Sequence, residues 1–451
     1  MLAAVLVAVA AAPAGATLRP LPGGAERVAV RIGDWTLSQP ALALLERVAR
    51  KSRPDASAAA VTAAVLEDHV LGAHARATVG DDALFDNRFV AQTPEASAEA
   101  SLYASLEAAW SAELVAALGK DGGTRYITQR RPLSRESLRR LLGAGAQVRL
   151  DDSLPPAREA ALHDVVLVDW RIDASDAGHV TLADVWRRLT LQERTLLYGG
   201  DAAYAMHVAE GQVRHAAVRH WVLAHTGLDD ADLVTLQALM SDHDRRIAFA
   251  RWAGAVDEDH YHSEALERLR RDVSDADIRR WYDAHPDDFK RIERVRARHI
   301  ACIDEARCDA ASAALARGEP FAAVALRFSS APDAQQGGEL GWLDAERARR
   351  EWLAQLAFAQ PPGPPTAPLR EPGMPPAPDD WQIVEVLERV TGRHAADSEA
   401  VRFAAGRAIA RERAAAQFGA LRARLLAQAD IELDPASLGF DAAALAAEGV
   451  R

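Results

Sequence analysis

The sequence predicts an α+β chain: mainly helical to about residue 270, then a segment over 293–391 in which strands enclose helices, then a C-terminal helix. Three observations carry this. Apolar residues recur at three- and four-residue intervals early in the chain, as in Leu42, Leu45, Val48 and again Leu102, Leu106, Trp110, Leu114. Strand-length apolar or alternating runs stand at 28–32, 165–170, 295–300 and 381–386. The stretch PPGPPTAPLREPGMPPAP at 361–378 excludes both helix and central strand, and so reads as a loop.

Taken in order, the first sixteen residues, MLAAVLVAVAAAPAGA, are apolar and end in the small-x-small pattern Ala14-Gly15-Ala16. They predict a cleaved signal peptide over 1–16, a mature chain starting near Thr17, and a periplasmic or otherwise extracytoplasmic location, although no Lys or Arg follows Met1. No later run reaches the ~18 apolar residues of a membrane helix, so no stable membrane insertion is expected. A helical region over 17–270 opens with the alternation Val28, Val30, Ile32, the turn Gly33-Asp34, and a helix from near Ser38. Helices are expected over 41–79 and 97–118, with a loop between. Thr181-Leu-Ala-Asp184 after Gly178 has capping-box form, and helices continue to about 250. Ser274-Asp-Ala-Asp277 opens a further helix through Trp281 and Tyr282, inside a linking segment at 271–292. The final segment, 392–451, reads as helical, with Phe403, Ile409 and Phe418 on a long helix over 396–428.

At 451 residues, 49% hydrophobic and 26% charged, the chain can fill several cores, roughly two to four domains. A net charge of −12 argues against a nucleic-acid partner, because counterion release needs a basic face. Cys302 and Cys308 are too few for a disulfide framework and fit no metal spacing, but they could pair in an oxidising compartment. No metal site or cofactor is expected. Asp257-Glu-Asp-His-Tyr-His262 reads as a solvated charge run, and His215, His220 and His225 lie five apart, spread around a helix.

Four stretches carry a resemblance: Val295-Arg-Ala-Arg-His-Ile300, Gly318-Glu-Pro-Phe-Ala322, Phe328-Ser-Ser330 and Gly337-Gly-Glu-Leu-Gly-Trp342. In these the segment 293–391 resembles the parvulin-type, PpiC-like peptidyl-prolyl cis-trans isomerases. The lead-in Ile278-Arg-Arg-Trp-Tyr-Asp-Ala-His-Pro-Asp-Asp-Phe289 resembles that of the multidomain SurA and PrsA foldases. The resemblance implies a small antiparallel sheet wrapped by helices, preceded over 17–270 by a chaperone-like region. It implies catalysed rotation about Xaa-Pro amides, whose barrier is ~20 kcal/mol, without a cofactor. Partners would be unfolded or extended proline-containing chains outside the cytoplasm.

By position, His299 stands at the family's first histidine and Gln382 at its second, where Asp380-Trp381-Gln382 replaces Gly-x-His. Leu340, Trp342, Leu353, Phe358, Ser329 and Ser330 are the implied substrate-binding residues, Leu353 in place of a phenylalanine. Ala331 stands before Pro332 where the family has Cys or Asp, so a neighbour such as Ser329, Ser330 or Asp333 must supply the polar group. These departures predict weak isomerase activity. The alternative is a non-catalytic chaperone or assembly factor with a degenerate domain.

Overall fold

The computed structural model describes residues 18–21, 27–85, 94–119, 121–143, 154–256, 262–372, 381–435, 438–440 and 442–448. The expected signal peptide and its cleavage point at Thr17, most of the 257–262 charge run, and Asp380 lie outside them. The chain forms two compact units, 1–269 with 411–451, and 270–410.

The first unit is built on long helices. Ser57 starts Ala58–Thr78 by accepting a hydrogen bond from the Ala60 amide. Full capping boxes start the helices Leu182–Arg188, Leu191–Tyr198 and Asp230–Trp252. The single helix expected over 41–79 is two, Gln39–Ser52 and Ala58–Thr78, because Arg53 precedes Pro54 and is driven into extended backbone. Two small sheets accompany the helices. One has the order Leu18–Arg19, Ile431–Leu433, Val28–Ile32, Trp35–Ser38, so the C-terminal segment read as helical also contributes a strand. The other is antiparallel, with Ile127–Arg130, Val166–Arg171 and Ala177–Thr181. No described helix is long and apolar enough to cross a membrane.

The second unit holds a four-stranded antiparallel sheet in the order Glu339–Asp344, Lys290–Cys302, Trp381–Arg393, Leu369–Arg370. Side chains alternate between faces of a strand, so the two central strands feed two separate cores. Ile300, Cys302 and Ile383 pack under helices Glu305–Ala316 and Phe321–Phe328. Val295, Ala297, Val384 and Val386 pack with helix Trp352–Ala359. Tyr282 and Trp281, from the capped helix Asp275–Ala284, join Phe289, Val401 and Ile409 in a third cluster. Cys302 and Cys308 pair as a disulfide with Cα atoms 5.4 Å apart, tying the end of the long strand to the first turns of the next helix. Closing so short a loop restricts the unfolded chain by only ~2 kcal/mol.

Candidate active site

The alternation of the long strand puts His299 on the face of Val295 and Ala297, and its cross-strand partner is Val384. Gln382 is on the same face of the neighbouring strand, two residues from Val384. The His299 ring is buried, with Nδ1 2.8 Å from Gln382 Oε1. Its Nε2 lies 3.0 and 3.2 Å from the two carboxylate oxygens of Asp333. Asp333 is carried by a five-residue 3-10 turn, Pro332–Gln336, and is 28% exposed, so it forms the mouth of the site.

The hydrogen-bond inventory restricts this triad. A carboxylate only accepts, so Nε2 must carry a proton to bond Asp333. Nδ1 then either carries a second proton and donates to the Gln382 carbonyl, or is bare and accepts from a Gln382 amide rotated to present its N–H. Either way Gln382 can satisfy the ring, as a glutamine has both a donor and an acceptor.

Two glycines set the distance between turn and strand. Gly338 has φ +73°, its carbonyl accepts from the His299 amide at 2.8 Å, and its own amide donates to Asp333 O at 3.0 Å. A Cβ on Gly338 would stand 2.0 Å from the His299 carbonyl oxygen. Gly337, φ +76°, closes the 3-10 turn against Ala322, whose Cβ would be 2.9 Å from an added methyl. The Gly-Gly pair thus brings the carboxylate to the imidazole.

Of the residues expected at the site, His299 and Gln382 meet directly. Leu340, Leu353 and Phe358 come together as partly buried members of the apolar cluster on the His299 face. Ser329 and Ser330 have their hydroxyls engaged with backbone: Ser329 accepts from the Ala301 and Ala331 amides, and Ser330 donates to the Ala301 carbonyl. They fasten the loop to the strand. Trp342 is not brought to His299. It pairs across from Arg296 and so faces the other side of the sheet, while its neighbour Leu343 points to the inner cluster. There its ring lies under the Arg294 guanidinium at 4.5 Å and is 41% exposed. Trp342→Ala is therefore expected to change kcat/KM for a prolyl peptide by less than about twofold, which a peptide isomerisation assay checks. Asp333 was among three candidates for the missing polar group; of these it alone reaches the imidazole.

Residues 273–402 match the sequence profile of the PPIC-type PPIASE domain. Over 86 residues the chain is 30% identical to "Foldase protein PrsA" of Bacillus subtilis (strain 168), covering 19% of this chain and 27% of that protein. Over 83 residues it is 36% identical to "Chaperone SurA" of Nitrosospira multiformis, covering 18% of this chain and 17% of that protein. The chain thus spans under a third of the length of these curated relatives. A crystal structure of a PpiC-type peptidyl-prolyl cis-trans isomerase domain aligns with 23% of this chain and 96% of its own, at 24% identity and a TM-score of 0.19. PrsA from Bacillus subtilis aligns with 56% of this chain and 91% of its own, at 19% identity and a TM-score of 0.19. Residues 273–402 are a PPIC-type peptidyl-prolyl isomerase domain, with an imidazole, a carboxamide and a carboxylate in contact at the edge of an apolar cluster.

Proposed function

We propose that the chain is a peptidyl-prolyl cis-trans isomerase and foldase that acts on unfolded, proline-containing proteins outside the cytoplasm. The observation that carries this reading is the contact of His299 with both Gln382 and Asp333, on the sheet face that also holds Leu340, Leu353 and Phe358. In this reading the apolar residues receive the pyrrolidine ring and keep water from the amide. Loss of solvation disfavours the planar, dipolar amide relative to the twisted one, in which the carbonyl and nitrogen are no longer conjugated. The His299, Gln382 and Asp333 chain offers fixed polar groups beside the rotating bond, and no covalent bond breaks.

Export and an extracytoplasmic setting are supported by the apolar N-terminal run ending in Ala14-Gly15-Ala16 and by the foldase and chaperone names of the relatives. Binding of unfolded chains is assigned to the larger helical unit, whose surface far exceeds one proline pocket. The full chain carrying His299→Ala is expected to lose at least about tenfold in isomerisation yet still suppress aggregation of a denatured client. Loss of both together, in a variant that melts like the wild type, would contradict this division of labour.

A further inference from the structure

We propose that the crossing of helices Ala58–Thr78 and Asp230–Trp252, joined by two reciprocal histidine–aspartate pairs, is a proton-operated latch in which His243 holds the helices more tightly in mildly acidic than in neutral surroundings. Asp68 and His69 are neighbours on the first helix, and Asp242 and His243 are neighbours on the second. His69 Nδ1 lies 2.9 Å from Asp242 Oδ2, and His243 Nδ1 lies 3.0 Å from Asp68 Oδ2. Gly72, one turn on, lets the backbones touch: a Cβ there would be 2.5 Å from the Asp242 carbonyl oxygen. The His69 ring is also stacked on Trp35, with centroids 4.1 Å apart, which fixes its plane.

The surrounding charges leave room for a proton. Arg246 bonds Asp68 at 2.5 Å and lies 3.7 Å from Glu67. Arg245 bonds Asp242 at 3.1 Å and both oxygens of Asp81, and Arg422 bonds Glu67 twice. Asp244, beside His243, accepts from Ser97. Arg76 adds its field at Asp81. The bonded network thus sets four carboxylates, Glu67, Asp68, Asp81 and Asp242, against three guanidiniums, Arg245, Arg246 and Arg422, with the Asp244 carboxylate beside it. One negative charge remains, and His243, bonded to Asp68, is placed to neutralise it. A neutral imidazole gives its carboxylate one hydrogen bond; a protonated one gives the same bond with a charge behind it.

The titration of this cluster runs in the direction the latch needs. Burial opposes protonation of His243, but its hydrogen bond and attraction to Asp68 prevail and raise it above the ordinary 6.5. Burial raises Asp244 above its ordinary 3.8. A group raised in the folded state contributes stability that is complete below its ordinary value and is lost as pH climbs through the folded value. For His243 that loss falls above about pH 6.5.

The test is hydrogen exchange of the full chain, read on peptides from 61–75 and 238–250 and corrected for the intrinsic pH dependence of exchange. Between about pH 5.5 and pH 8, protection there is expected to fall severalfold. His243→Gln keeps a donor for Asp68 but cannot gain a proton, and should remove most of that change. Undiminished pH dependence in the variant, or flat protection in the wild type, would overturn the latch. Should the variant not fold, the wild-type His243 ring is titrated by NMR: a midpoint above 6.5 supports the proposal and one at or below it overturns it.

Discussion

Asp333→Asn is expected to lower kcat/KM toward a prolyl peptide by about ten- to a hundredfold while leaving the melting temperature within a few degrees. The carboxylate is partly exposed and, among the described residues, bonds one side chain, His299 at Nε2, through both oxygens. The asparagine is almost the same size and keeps one accepting oxygen for the Nε2 proton, but it carries no charge, so the imidazole loses the charge-assisted bond and its second acceptor. Removing one positioned polar group from a desolvated site commonly costs one to three powers of ten. The fold has little at stake, since Asp333 sits in a surface turn whose closing bonds are made by backbone. An isomerisation assay beside a thermal melt checks both halves. An unchanged rate would mean that Asp333 merely satisfies a buried histidine.

Gly338→Ala is expected to cost the PPIC-type unit about 4 kcal/mol or more, and to remove activity with it. At φ +73° an alanine would pay roughly 1 to 2 kcal/mol for left-handed backbone alone. Its Cβ would also stand 2.0 Å from the His299 carbonyl oxygen and 3.1 Å from the carbonyl carbon, so either the strand or the turn must move. Both of these are backbone, which cannot swing aside as a side chain can. Gly341 is the control: its φ is +69°, but nothing lies within 4 Å of an added Cβ, so Gly341→Ala should show the backbone cost alone. Denaturant melts of the two variants measure the difference. Equal losses would show that the approach of Gly338 to His299 does not restrict the fold.

How much of this was readable in the sequence depended on what each residue's role requires. The Gly-Gly pair stands in the sequence as part of a motif, and the structure gives its reason at Gly338, where strand and turn touch. The strand at 165–170 was legible from its apolar run, but its partners Ile127–Arg130 and Ala177–Thr181 are short and polar, and only pairing makes them strands. The split of the helix at Arg53-Pro54 was open to sequence reasoning, as proline restricts the residue before it. Trp342 was assigned to the substrate side by its motif, whereas strand parity sends it to the far face and Leu343 inward. The expectation of weak activity rests on Ala331, Gln382 and Leu353 taken together. A linear reading could not choose between Ser329, Ser330 and Asp333, because the choice is made by the 3-10 turn, which leaves the serines on backbone and turns the carboxylate to the imidazole.

Whether this arrangement catalyses rotation about a prolyl amide is decided by NMR exchange spectroscopy on an Xaa-Pro peptide with a catalytic amount of the full chain. The uncatalysed peptide interconverts over tens of seconds or longer and shows no cross-peaks between its cis and trans signals on the timescale of the mixing period. The folded wild-type chain is expected to bring those cross-peaks up, and His299→Ala to suppress them. A folded wild-type chain that binds the peptide yet leaves the exchange rate at its uncatalysed value would contradict it.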